Sequence, residues 1–385
     1  MVDLDEWRLD DPDEIEAADP GGMLRQVASS AAQVRTSLQA TQETDFDGLL
    51  AAGRPRAIVV AGMGGSGIAG DVLAAVCGAG SPVQIASVHG YQLPGWVSAS
   101  DLVIGVSCSG STEETLAAAE DAVRRGCRLM GVGGAGSPLA ALAEQACAPF
   151  VPVPSAGMPR STLWGLSVPL IGAAARFGLC DAGPEAHETA AVALEGISQR
   201  CRPDSDSFVN PAKGLALELA GTLPMIWGTS PLAGVAAYRF ACQLNENAKY
   251  PAIHGVLPEA NHNQVVAFDG AFAPAAAGVP GPDDVPDPDG APGADGAEPA
   301  TPLRLITLAD VREHPQVAKR REASVRLASE RGIGVTELAA AGDHPLERLA
   351  SLVQLIDYAT VYLGIALGYD PSPITVIQEL KASIA

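Results

Sequence analysis

The 385-residue sequence is poor in positive charge: 24 Lys and Arg stand against 45 Asp and Glu, a formal charge of −21. A surface that negative repels phosphate backbones and anionic lipid, which excludes nucleic acid and membrane surfaces as expected partners. Cysteine is scattered. Cys77, Cys108, Cys127, Cys147, Cys180, Cys201 and Cys242 are never closer than 19 positions. No C-x-x-C pair therefore exists for metal or redox work, and the odd number suits reduced thiols in a cytoplasm. A long apolar run is missing as well. The greasiest stretch, 163–175, is broken by Gly165, Ser167 and Pro169. It falls short of the roughly 20 residues a bilayer span needs, so a buried helix is expected there. The first 22 residues carry nine acids and one arginine. A signal peptide starts with basic residues, so no secretion is expected.

What is present points to a folded α/β chain. The apolar share is 47%, and the length is enough for two domains with a substantial core. Strand-like runs at 56–60, 83–88, 102–106, 129–132 and 150–153 alternate with helical stretches at 68–76, 112–125 and 138–145, after a weakly helical segment at 23–50. That alternation is the mark of a doubly wound parallel sheet. A second strand, loop and helix follows at 223–227, 228–234 and 235–248, which reads as a duplication with different loops. A short strand is expected at 265–268, further folded structure from 303–308, and closing helices at 346–366 and 373–383. Between 269 and 302 the chain is almost wholly Ala, Gly, Pro and Asp, with seven acids and no base. Such a stretch buries too little apolar surface to offset its ordering entropy, so a disordered surface insertion is expected, with a partner-binding loop as the alternative. The organisation is thus an acidic tail (1–22), a first domain (23–180), a connecting helical segment (181–208), a second domain (209–368) holding the insertion, and a terminal helix (369–385).

Gly62-Met63-Gly64-Gly65-Ser66-Gly67 follows a strand and opens a helix. Its N–H groups face the positive end of the helix dipole, a place for an anion. The spacing satisfies G-x-G-x-x-G, but a dinucleotide site also needs an acid at the end of the second strand, and Ser87-Val88-His89-Gly90 has none. A P-loop needs Lys and a hydroxyl after the last glycine, where Ile68-Ala69 stands. The run Ser107-Cys108-Ser109-Gly110-Ser111-Thr112-Glu113-Glu114 brings several hydroxyls to the end of another strand, with Ser111 and Glu114 spaced as a capping box. Helix capping accounts for one of these hydroxyls. The cluster, at a sheet's usual ligand crevice, suits a monophosphate held by hydroxyl and backbone donors.

These two loops resemble the sugar isomerase domain, a phosphosugar-binding module on a flavodoxin-like sheet. Met158-Pro159-Arg160, Asn245-Glu246-Asn247-Ala248-Lys249, Asn261-His262-Asn263 and Gln378-Glu379-Leu380-Lys381 extend the match, and the chain resembles the bifunctional phosphoglucose/phosphomannose isomerase family from about residue 20 onward, the insertion excepted. The resemblance implies two flavodoxin-like doubly wound domains in tandem. It also implies a metal-independent aldose–ketose isomerase, without cofactor, that interconverts glucose 6-phosphate and mannose 6-phosphate with fructose 6-phosphate through a cis-enediol. Gly65, Ser66, Ser107, Ser109 and Thr112 would hold the substrate phosphate. Cys108 stands where an aromatic is common and Ser111 where Asn is common, which touches substrate preference more than phosphate binding.

Moving a carbonyl between C1 and C2 needs a base for a carbon-bound proton and a group to stabilise the enediolate oxygen. Glu246, near the C-terminal end of an apolar helix, is the candidate base, since the negative end of the dipole pushes a carboxylate pKa upward. On the residues alone it also reads as a surface acid. By resemblance Arg160 steadies the enediolate; it precedes a helix, where a cation is a poor structural choice, a surface salt bridge being the alternative. His262, whose imidazole titrates near neutrality, lies in a polar stretch, where a solvated histidine is the plain reading. By resemblance it opens the sugar ring from the neighbouring subunit of a homodimer. Lys381 shares steps of 3 and 4 residues with Ile374, Ile377 and Ile384, so its amine is expected to point inward, and by resemblance it works beside the ring; a snorkelling core lysine is the alternative. Thr375, on the same helix, is a candidate for discriminating C2 epimers. His254, His314 and His344 match no motif. A non-catalytic sugar-phosphate sensor remains a rival reading. A nucleotide-dependent oxidoreductase lacks its ribose acid, and no His and acid cluster has zinc-ligand spacing.

Overall fold

A computed structural model of the chain describes residues 6–153, 157–274 and 301–384. In chain order the helices and strands are α1 (Pro12–Ala18), α2 (Met23–Ala28), α3 (Ser30–Glu43), α4 (Asp47–Ala51), β1 (Ala57–Ala61), α5 (Gly64–Cys77), β2 (Gln84–Val88), β3 (Leu102–Ser107), α6 (Glu113–Arg124), β4 (Arg128–Gly134), α7 (Pro138–Gln145), β5 (Phe150–Val153), α8 (Leu163–Arg176), α9 (Pro184–Arg200), α10 (Pro211–Leu219), β6 (Leu223–Gly228), α11 (Pro231–Asn247), β7 (Ile253–Val256), β8 (Leu303–Ala309), α12 (Pro315–Glu330), β9 (Gly334–Ala339), α13 (Pro345–Ala366) and α14 (Thr375–Ile384). They divide into a first body, residues 22–202 with 341–358, and a second body, residues 1–21, 203–340 and 359–385.

The first body is built on an all-parallel sheet in the order β2-β1-β3-β4-β5. Parallel strands joined by crossover helices are covered on both faces, so they read as continuous apolar runs. β1, with the sequence AIVVA, is buried at every position, as is β3. Each fully buried Val or Ile adds about 1.5–3 kcal/mol. Val59, Ala61, Val103 and Leu129 pack on Leu139 of α7 and on Ala118, Ala119 and Ala122 of α6. The stretch expected to be a buried helix is α8, buried from Leu163 to Ala174. Two histidines without a motif turn out to cap helices. Nδ1 of His344 accepts from Leu346 N–H at 3.1 Å, and His314, in the second body, does the same for Gln316 N–H at 3.1 Å.

The second body repeats the topology: its parallel sheet runs β7-β6-β8-β9, matching β2-β1-β3-β4 strand for strand. Asn210 caps α10 through Ala212 and Lys213 N–H. The buried Lys213 ammonium donates to the carbonyls of Pro203 (2.7 Å) and Ser205 (2.6 Å) and lies 5.5 Å from the centre of the Tyr362 ring. Among the described residues α13 is the one helix long and apolar enough to cross a membrane, and 89% of that window is buried inside the protein.

Two expectations need correction. Residues 265–268 are not a strand but part of a 3-10 helix, Gln264–Asp269. Tertiary contacts override the apolar run: Phe268 stacks on Trp227 with ring centroids 5.6 Å apart, and Gln264 is held by Trp227 Nε1 (2.6 Å) and the His254 carbonyl (2.9 Å). The insertion is also shorter than 269–302. Asp269 pairs with Arg331 at 2.6 Å, Leu303 N–H donates to Phe272 O at 2.7 Å, and Pro302 O accepts from Leu223 N–H at 2.8 Å. Composition marks the Ala and Pro run, while these bonds set its true ends. Residues 275–300, and 1–5 of the acidic tail, lie outside the described residues.

His187 is 1% exposed, its Nδ1 is 3.0 Å from Gly183 O, and burial holds its pKa below the ordinary 6.5. Above pH 6.5 the group is neutral in both states and costs nothing. As pH falls through 6.5 the unfolded chain takes a proton that the folded chain refuses, so stability is lost. Thermal melts between pH 7.5 and 5.5 are expected to fall more steeply for the native chain than for His187→Gln; equal slopes would refute the assignment.

Candidate active site

β1 and β3 are neighbours, and the chain leaves β1 toward β2 on one side and β3 on the other. Such a switch point opens a crevice at the C-terminal ends of the strands, where α/β sheets take ligands. Both motif loops converge on it. From Ala61 the chain passes through Gly62 and Met63 into α5, and from Ser107 it passes through residues 108–112 into α6, so two helix N-termini meet there. At that end of a helix the unpaired N–H groups and the dipole both favour an anion.

The loops are tied by their hydroxyls. Ser66 is 5% exposed and its Oγ accepts from Cys108 N–H at 3.1 Å, which joins one loop to the other. Ser107 Oγ lies 2.8 Å from Thr112 Oγ1 and 3.4 Å from Ser109 Oγ, and accepts from Gly110 N–H at 3.0 Å. Ser109 Oγ in turn accepts from Ser111 N–H at 3.2 Å and Ser111 Oγ at 3.0 Å. The capping box expected between Ser111 and Glu114 does not form. Ser111 is turned toward Ser109, and Thr112 stands at the N-cap without a side-chain cap bond because its hydroxyl faces Ser107. Gly65, Ser66, Ser107, Ser109 and Thr112 thus share one crevice whose donors are hydroxyls and backbone amides. Burial pushes the Cys108 thiol up, so it stays protonated and inert.

Arg160 follows at the rim. It lies in the 3-10 turn Pro159–Ser161, is 2% exposed, and has Nη1 3.8 Å from Met158 Sδ. Its turn meets α5 at Gly65, where a Cβ would fall 2.9 Å from the Pro159 carbonyl and 3.0 Å from Arg160 Cα. Only glycine admits that approach. Two glutamines from the helices before the sheet fix the turn. Gln26 Oε1 accepts from Met158 N–H and Ser161 Oγ, both at 2.8 Å, and Gln33 Nε2 donates to Ser161 O at 2.8 Å. Sequence reading missed both, since their partners lie more than 120 positions away.

The other candidates belong to the second body. Glu246 is half-buried in the last turn of α11. Asn245 Nδ2 donates to Ala241 O at 2.5 Å, and the buried Asn247 Nδ2 lies 3.0 Å from Thr360 Oγ1. A Cβ on Gly364 would sit 2.6 Å from Asn247 O, so this glycine lets α13 close on the end of α11. His262 ends the 3-10 turn Glu259–His262 and is exposed, next to Asn261, whose Nδ2 donates to Ser324 Oγ at 2.8 Å. The expectation that Lys381 points inward is not met. α14 has no buried residue, and the expected stripe is open: Ile374 is half-buried, Ile377 is 40% exposed, Ile384 76%, and Lys381 is exposed. Steps of 3 and 4 residues put these side chains on one face, but among the described residues nothing buries that face. Thr375 is exposed on the same helix.

The crevice of the second sheet is different. Asp310, just after β8 and 4% exposed, accepts from Ser230 Oγ at 2.7 Å and Arg312 N–H at 3.1 Å, while its own N–H donates to Thr229 Oγ1 at 2.9 Å. Here the loop after β8, which matches the hydroxyl loop after β3, carries a carboxylate that is bonded to a hydroxyl of the loop after β6. Among the described residues no three His, Cys, Asp or Glu side chains cluster as metal ligands.

The chain is 30% identical over 328 residues to a bifunctional phosphoglucose/phosphomannose isomerase of Caldicellulosiruptor bescii, covering 85% of this chain and 89% of the relative. The chain belongs to the bifunctional phosphoglucose/phosphomannose isomerase family. Its relative from Aquifex aeolicus, of the same name, is 27% identical over 332 residues, 86% of this chain and 90% of the relative. Residues 208–384 match the bacterial phospho-glucose isomerase C-terminal SIS domain. The fold is also that of the C-terminal domain of glucosamine-fructose-6-phosphate aminotransferase from Francisella tularensis, with TM-score 0.65, 13% identity, and coverage of 91% of this chain and 98% of that one.

Gly65→Ala is expected to force the α5 loop off the Arg160 turn. Overpacking of this kind costs about 1–3 kcal/mol, read as a lower urea midpoint, and binding of fructose 6-phosphate should weaken with it. Unchanged stability and affinity would show that the close approach is not needed.

Proposed function

We propose that this chain is a metal-independent aldose–ketose isomerase that interconverts glucose 6-phosphate and mannose 6-phosphate with fructose 6-phosphate. The observation that carries the proposal is the neutral hydroxyl crevice at the switch point, with the buried Arg160 packed against its glycine loop. That arrangement suits a single esterified phosphate with reactive carbons beside it. The phosphate is held by backbone amides of the Gly65–Ser66 turn and by Ser107, Ser109 and Thr112. Glu246 takes the proton from C2 of the open-chain aldose as the electrons pass to the carbonyl oxygen O1, forming a cis-enediolate; the hydroxyl proton then moves from O2 to O1, and Glu246 returns its proton to C1 as the C2 carbonyl forms, which gives the ketose. Arg160 stabilises the negative oxygen of the intermediate, the role in which a fixed cation is worth most. His262 and Lys381 open the pyranose ring, and Thr375 bears on the choice between C2 epimers.

Two features support a homodimer: His262 is exposed, and α14 presents Val376, Leu380 and Ile384 at 78%, 61% and 76% exposure. A second copy of the chain covers that apolar face and exchanges histidines. Seven free cysteines and a sugar-phosphate substrate fit the cytoplasm.

The test supplies each hexose 6-phosphate in excess EDTA and follows fructose 6-phosphate. Turnover is expected to persist with the chelator and to fall about 10²–10⁴-fold in Glu246→Gln. Chelator-sensitive turnover, or full activity of the variant, would overturn the mechanism. Binding without exchange of the C2 proton would indicate a sensor instead.

A further inference from the structure

Lys249 sits where a helix usually ends in glycine. It is the second residue past α11, with φ +55°, a left-handed conformation that strains a residue with a Cβ. Tyr250 N–H turns back to Leu244 O at 3.0 Å, which fixes that conformation. The side chain accounts for the choice of residue. Its ammonium donates to Glu246 O at 2.9 Å and Asn247 O at 3.4 Å, the open carbonyls of the last helical turn, and also to Asp370 O at 2.9 Å and Pro371 O at 3.2 Å, in the segment that leads into α14. A full positive charge therefore meets the negative end of the α11 dipole. One side chain joins the backbone of Glu246 to the start of the helix that carries Thr375 and Lys381.

We infer that Lys249 is a positioning residue, which sets the Glu246 carboxylate and the head of α14 in one register for proton transfer. The inference rests on the reading of Glu246 as the base. Four carbonyls in one amine shell leave little freedom to either segment, whereas a neutral side chain at 249 leaves three or four acceptors to water and lets the 370–371 turn drift. Misplacement of a catalytic group by about 1 Å is enough to cost roughly 10²-fold in rate. The phosphate crevice is built from other residues, so substrate affinity is not expected to follow.

Three variants test this, with Glu246→Gln assayed beside them. Lys249→Met is expected to lower kcat by about 30- to 100-fold while KM, and Ki for the unreactive glucitol 6-phosphate, stay within about 3-fold. Lys249→Arg, which restores charge and donors, is expected to recover at least about ten-fold of the lost kcat. Lys249→Gln keeps an amide donor, and it decides the matter if the methionine variant does not fold. A kcat within about 3-fold of native, no recovery with arginine, KM and Ki rising as far as kcat falls, or misfolding of both neutral variants would each overturn the inference. If Glu246→Gln keeps full activity, the reading of the base fails whatever Lys249 does. If Glu246→Gln is inactive and Lys249→Met is not impaired, only the positioning role fails.

Discussion

The first body depends on one backbone contact, the approach of α5 to the Arg160 turn at Gly65 with no room for a side chain. The proposed anion crevice hangs from it. α5 delivers its N-terminal amides and Ser66 only if its first turn enters this gap, and Ser66 then carries the second loop through Cys108 N–H. Arg160 is itself buried beside this contact, and a charge in such surroundings acts more strongly than one in water. A chain of net charge −21 repels anions at long range, so hydroxyls and helix N-terminal amides gathered in one place are a local exception to its surface.

The parts legible in the sequence were those in which cause and effect are near in the chain. The glycine cluster of residues 62–67 lies between a buried strand and an apolar helix, so its turn and its dipole could be read locally. The same holds for the serine loop, although the local rule for capping gave Ser111 a bond it does not make, since Ser109 competes for it. Gln26 and Gln33 could not be found this way because only the fold brings α2 and α3 to the turn at 159–161. Residues 265–268 show the same limit: four apolar positions fit a strand until Trp227, from another part of the chain, draws Phe268 under itself.

Lys381 teaches a separate lesson. A period of 3.6 states which side chains share a face, and α14 obeys it. Whether that face is wet is a question of partners, and the period is silent on it. Glu246 was singled out by its neighbours in a motif, and the dipole argument offered beside them ignored Lys249 three residues on, whose ammonium fills the end of the same helix.

The two sheets have matching strand orders but unequal crevices, and the difference is Asp310. In the first body the loop after β3 carries hydroxyls, while in the second the loop after β8 carries Asp310, whose carboxylate is bonded to Ser230 of the loop after β6. Matching places in the two sheets thus carry neutral hydroxyls in one and a carboxylate in the other. An anion brought to the second crevice would meet a like charge already bonded to its nearest hydroxyl, so the two repeats do not offer an anion the same reception.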